Sequence, residues 1–222
     1  MNLPSDDECK FFIDFAYKMP SNIVAHSIQV NKVAVFLAKR FNEKNEAVNI
    51  DLVDKASILH DVLKIVEIHN EETLFTPPGG EKSFKISEKD RMKWIELKKK
   101  YSGLSHEEAA YEIFKEKYPE MATIIRKHGY HFPKGELKLN SWEEKIVYYA
   151  DKRVTHSNIV SLKERLDEGH ARYAQKRRIK GIDKEYQTKT DKFVFELEKE
   201  IFNKIGLSPD KLTEDMKRFE GN

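Results

Sequence analysis

At 222 residues the chain has the length of one domain with room for a helical appendage, and its 13 Phe and 9 Tyr supply material for a real core. No apolar run approaches the roughly 20 residues that cross a bilayer, and a single cysteine, Cys9, excludes an internal disulfide and a thiolate zinc cage. The 40 basic and 38 acidic residues leave a net charge of +2, which points to no particular partner, and the acidic start MNLPSDDECKFF is unlike a secretory signal, so a cytoplasmic location is the expectation.

The elements read as helical almost throughout. A first helix is expected from Asp6 to Met19, with Phe11, Phe12 and Phe15 at helical spacing and Pro20 as its stop. Ser21 opens a second, on which Ile23, His26, Val30, Val33 and Leu37 form one stripe. A third is expected from about Ile50 to Ile68, with Leu52, Ala56, Leu59 and Leu63 on one face. The stretch from about Asn70 to Phe84, containing Thr76-Pro77-Pro78-Gly79-Gly80, is a loop by composition, long enough to be a lid or a disordered connection. The strings Ser105-x-x-Glu108 and Ser141-x-x-Glu144 read as capping boxes opening two later helices. Between them Pro119 starts a short helix bearing Met121, Ile124, Ile125 and His128, with Gly129 as its terminal glycine. The Ser141 helix carries Ile146, Ala150, Asp151 and Val154, and helices around 158–173, 183–205 and 209–219 close the chain. The division expected is an N-terminal helix over residues 1–20, a central domain over 21–173 and a C-terminal helical extension over 174–222.

The chemistry lies in placement. His26, His60, Asp61, His128 and Asp151 fall on or beside apolar stripes, where an unpaired charge is costly. A single histidine in such a place is commonly a satisfied core residue, but a buried carboxylate needs a cation or several donors. Imidazole nitrogen with carboxylate oxygen suits Zn, Fe, Mn, Ni or Co, and three or four such ligands leave positions open for water and substrate. The basic clusters Lys98-Lys99-Lys100 and Lys176-Arg177-Arg178 read as solvated helix faces, with a nucleic-acid surface as the alternative. No Gly-rich phosphate loop, nucleophile elbow or dinucleotide fingerprint is present.

The order His26, then His60-Asp61, then Asp151 resembles the HD-domain superfamily of metal-dependent phosphohydrolases. The string Leu59-His60-Asp61-Val62-Leu63-Lys64 carries the adjacent His-Asp with Lys three positions on, and Tyr149-Ala150-Asp151-Lys152-Arg153-Val154 supplies the downstream Asp. The resemblance covers roughly residues 21–173. It implies an all-α fold, an orthogonal helical bundle in which those four residues bind one divalent cation (Mn, Fe, Ni, Co, Zn or Mg). His106 and His128 occupy the places where many members hold a second. The set is similar to that of small hydrolases of symmetrical dinucleoside polyphosphates. It fits cyclic-dinucleotide phosphodiesterases poorly, because His128-Gly129-Tyr130-His131-Phe132-Pro133 lacks their Gly-Tyr-Pro motif; His131 could be a ligand or ordinary surface.

The implied reaction is hydrolysis of a phosphoester or phosphoanhydride in a small phosphorylated, nucleotide-like substrate. Asp61 is the expected catalytic residue, coordinating metal and orienting the nucleophile, and Lys64 and Arg153 are the expected phosphate contacts. His156 and Arg165 either line the cleft or form inter-helix salt bridges, and His69 and His170 have no supporting context. A sensor that binds nucleotide without turnover is the rival, and a complete ligand set argues against it.

Overall fold

The structure, a computed structural model, describes residues 1–68, 87–180 and 184–220. The expected loop from Asn70 to Phe84, with His69 before it, lies outside the described residues, as do the side chains of Lys176, Arg177 and Arg178. The fold is all-α, as the sequence predicts, with one minimal strand pair.

Helix α1 (Asp6–Phe11) begins with a complete capping box, Ser5 and Glu8 each accepting the other's backbone N–H. It does not run on to Met19: a π-helical turn follows over Phe12–Ala16, and Lys18 adopts a left-handed φ of 50°. In this arrangement Phe12 and Tyr17 both pack on the Phe114 ring, at 5.2 and 6.4 Å. Phe11 and Phe15 stack on each other in solvent, 54% and 58% exposed, instead of entering the core.

Helix α2 (Ser21–Glu43) is the central pillar. Val30, Val33, Ala34, Leu37, Ala38 and Phe41 are wholly buried on it, and each large apolar side chain so buried contributes about 1.5–3 kcal/mol. It packs against α3 (Ile50–Leu59), α7 (Trp142–Asp151) and α9 (Lys184–Ile205). Helix α3 stops at Leu59, short of the expected Ile68. A turn over 60–63 and a 3-10 segment, Lys64–Glu67, replace its last turns. Every residue from Leu59 to Leu63 is buried, the polar His60 and Asp61 included, so this stretch has no solvent-facing side.

Helix α4 (Glu88–Lys100) has too little apolar patterning to stand out in sequence, since only Trp94 and Leu97 are buried on it. Its last turn carries Lys98, Lys99 and Lys100, where the helix dipole favours cations. Helices α5 (His106–Phe114) and α6 (Pro119–Lys127) pack together, and α6 also rests on α3. Ser105 and Ser141 do cap α5 and α7. Neither box closes, because Glu108 turns to Arg126 (2.9 Å) and Glu144 to Lys127 (2.7 Å).

Beyond α7, Val154 lies on a strand and not on the helix expected to carry it. β1 (Val154–Thr155) pairs antiparallel with β2 (Asn158–Ile159). His156, in the connecting turn, has a left-handed φ of 56° that reverses the chain. Helix α8 (Leu162–Lys180) follows, then α9 and α10 (Leu212–Glu220). Among the described residues no helix is long and apolar enough to cross a membrane.

Candidate metal centre

The packing of α2 on α3 and α7, and of α6 on α3 and α5, draws polar residues from five elements to one point in the interior. His26 lies in the second turn of α2, and His60 and Asp61 lie in the turn that ends α3. His106 is the first residue of α5, His128 caps α6, and Asp151 is the last residue of α7. His60, Asp61, His106 and His128 are buried.

Four histidines share one orientation. His26 Nδ1 faces the His156 carbonyl at 2.9 Å, His60 Nδ1 the Ser57 carbonyl at 2.7 Å, and His128 Nδ1 the Ile125 carbonyl at 2.6 Å. His106 Nδ1 faces Glu67 Oε2 at 2.9 Å. A carbonyl or carboxylate oxygen can only accept, so each Nδ1 carries a proton and each ring turns its Nε2 the other way. Those four Nε2 atoms meet carboxylate oxygens. His26 Nε2 is 3.1 Å and His60 Nε2 3.7 Å from Asp151 Oδ1, while His106 Nε2 is 2.9 Å and His128 Nε2 3.5 Å from Asp61 Oδ1. His60 Nε2 also lies 3.7 Å from Asp61 Oδ2.

Nitrogens and carboxylate oxygens gathered this closely favour a positive charge among them, which Lys64 supplies beside His106 and Asp61. The buried atoms say the same: His60 Nε2 and Asp61 Oδ1 have no hydrogen-bond partner, the approach of His106 to Asp61 being close but misaligned. Orphaned buried groups of this kind are costly in a protein interior. A divalent cation satisfies both, so the residues present fit one. Three groups each bring ligand atoms within 4.8 Å of one another: His26, His60 and Asp151; His60, Asp61 and His128; His106, Glu107 and His128.

The electrostatics are those of a cation site. Burial alone would raise both aspartyl groups, yet Lys64 beside Asp61 and Lys152 beside Asp151 outweigh it and hold both carboxyls well below the usual range. Burial pushes the His60 imidazole down to about 3, which keeps it neutral and able to ligate. Burial and Lys64 press the His106 ring the same way, but Glu107 and Asp61 prevail and lift it to about 9.

Lys64 stands at the rim, its ammonium 3.4 Å from Asp61 Oδ1 and 3.1 Å from His106 Nε2 and its side chain 27% exposed. Arg153 is a correction. Its guanidinium donates to Val160 O (2.8 Å), Tyr149 Oη (2.6 Å) and Pro209 O (3.1 Å) and pairs with Glu198 (3.3 Å). It is 4% exposed, and its planar fork is spent on fastening α7 to α9 and the segment before α10.

Arg165 and His156 do come near: Arg165 Nε donates to Val154 O at 2.8 Å, and His156 serves through its carbonyl. His170 is bound to Asp191 at 2.9 Å and stands apart from the cluster. His131 is half-buried; its Nε2 is buried without a partner, and burial pushes the ring down to about 4.

Sequence reasoning missed Glu107 and Lys152. Glu107 reads as an ordinary acidic residue of a helix first turn, and only its adjacency to His106 could have marked it. Lys152 reads as surface charge but is 3% exposed, packed over the Tyr148 ring at 4.0 Å, with its ammonium 3.2 Å from Asp151 Oδ2 and donating to the His128 carbonyl. A lysine directly after a candidate aspartate ligand was the available signal.

Among known proteins, the family model described as the HD domain matches residues 23–155, more than half of the chain. No curated protein and no solved structure matches it.

Proposed function

The chain belongs to the HD-domain family, and from that membership and the centre just described we propose that it hydrolyses a phosphoester or phosphoanhydride bond in a small, nucleotide-like substrate. The observation that carries this reading is the common orientation of His26, His60, His106 and His128, whose Nε2 atoms converge on Asp61 and Asp151. A proximal cation would be held by His26, His60, Asp61 and Asp151, and a distal one by His106 and His128, with Asp61 reaching both. When bound, such cations acidify a water ligand and neutralise charge that develops on a phosphoryl oxygen.

The chain's own residues do the rest. The backbone carbonyls at Ser57, Ile125 and His156 hold three imidazoles in the ligating tautomer, so no reorientation is needed when substrate arrives. Asp61 presents one oxygen toward His60 and the other toward His106 and His128, which suits it to orient the attacking water. Lys64, at the partly exposed rim, binds a non-bridging phosphoryl oxygen by a charge-assisted hydrogen bond. Arg153 has no part in this reading.

The test is metal analysis of the purified protein, followed by a phosphate-release screen over nucleotides with Mn, Co, Ni, Fe and Mg. Bound or activating divalent metal with release from at least one phosphorylated nucleotide is expected. A protein that takes up no divalent ion would end the proposal.

A further inference from the structure

The distal histidines are accompanied by a carboxylate for which the motif makes no provision. Glu107, the second residue of α5, follows His106 directly; its side chain is 17% exposed, and its oxygen joins His106 and His128 in one ligand-spaced group. The position that admits it is Gly129. The sequence reads this glycine as a helix terminator, but its φ is not left-handed, unlike those of Gly103, Gly135 and Gly206, so conformation does not require it. The Glu107 carboxylate lies against it. A Cβ at 129 would overlap Glu107 Oε1, come within 3.2 Å of its Cδ and 3.4 Å of His131 Nδ1, so in this buried position the carboxylate would have to move.

Resting on the two-cation reading above, we propose that Glu107 is the third side-chain ligand of the distal cation, and that residue 129 is glycine to seat its carboxylate. Orienting His106 does not call for Glu107, since the Nδ1 proton already goes to Glu67 Oε2 at 2.9 Å, a shorter approach than the 3.1 Å to Glu107 Oε2. With Glu107 the two positions become equivalent in chemistry: two imidazoles and one private carboxylate each, Asp151 proximally and Glu107 distally, with Asp61 shared. Two imidazoles with a carboxylate suit first-row divalent ions. Without Glu107 the distal ion would have only a share of Asp61 to offset its charge while facing the Lys64 ammonium, 3.1 Å from His106 Nε2.

Titration of metal-free protein with Co(II), followed by calorimetry and by visible absorption, tests this directly. The unaltered chain is expected to bind two ions. Glu107→Gln, nearly the same in shape, should keep the tighter ion and weaken the other by at least about tenfold, the scale on which metal-site partners act. Gly129→Ala should do the same by displacing the carboxylate, and Glu107→Asp should fall between. If Gly129→Ala loses helical circular dichroism, Glu107→Gln alone decides. Two ions bound by Glu107→Gln as tightly as by the parent would overturn the role of Glu107 and leave the two-cation reading standing. A single ion in the parent chain would overturn that reading itself.

Discussion

The proximal and distal halves of the centre are built by different means. The proximal half hangs on the interior of the fold: His26, His60 and Asp151 come from the mutually packed α2, α3 and α7, and both imidazoles are steered by backbone carbonyls. The distal half sits where α5 begins and α6 ends, and its first imidazole is steered by a side chain, Glu67, with Lys64 against its other nitrogen. Backbone steering survives most substitutions, whereas side-chain steering is lost with a single one. The proximal half should therefore be the robust one and the distal half the one that sequence change can tune or delete.

Asp61 belongs to both halves, so Asp61→Ala should erase the contrast: turnover abolished and most metal stripped, read by phosphate release and metal analysis. Full activity in that variant would break the comparison and the reaction together. Next in size, Lys152→Met should loosen both halves at once, because Lys152 fastens Asp151 and the His128 carbonyl. Removing one partner of a buried pair costs roughly 3 kcal/mol or more, so thermal unfolding should drop by about 6–12 °C for a domain of this size. An unchanged midpoint would mean the ammonium holds nothing.

His128→Ala should reduce metal stoichiometry by the distal ion only, while His26→Ala should weaken the proximal one; a metal count unaltered in His128→Ala would return the site to a single ion. The smallest effect is a proton count. In the metal-free protein the His106 group, lifted to about 9, is protonated at neutral pH, so cation uptake at pH 7 should release about one proton. The sign follows from the direction of the shift: a raised imidazole favours the metal-free fold below the unfolded value near 6.5, and that contribution fades as pH rises through about 9. Calorimetry in two buffers of different ionisation enthalpy reads the proton; no release would show His106 already neutral.

What the sequence disclosed was periodic or adjacent. The α2 stripe is legible because its apolar residues repeat at the helical period, and His60-Asp61 because the pair is contiguous on an apolar run. Features set by contacts distant in sequence were not legible. The break after Leu59 falls in a run, Leu59 to Leu63, that is buried on every side, which no amphipathic pattern expresses. The turn that puts Val154 on a strand depends on His156 adopting a conformation its residue type does not announce. Arg153 looked like a phosphate contact because charge beside a candidate ligand suggests it, yet Glu198, 45 positions on, claims the guanidinium. Glu107 and Gly129 are 22 positions apart, and only the fold brings the carboxylate against the glycine.

The carbonyl of His156 deserves a last consequence. Because His26 is steered by a main-chain oxygen, the imidazole of residue 156 can be replaced without touching that contact, provided the turn keeps its left-handed bend. Asparagine or glycine preserves the bend, while a β-branched residue resists it. Position 156 should therefore tolerate wide chemical drift yet reject valine and isoleucine, a pattern of permitted residues set by backbone shape and blind to the functional group displayed there.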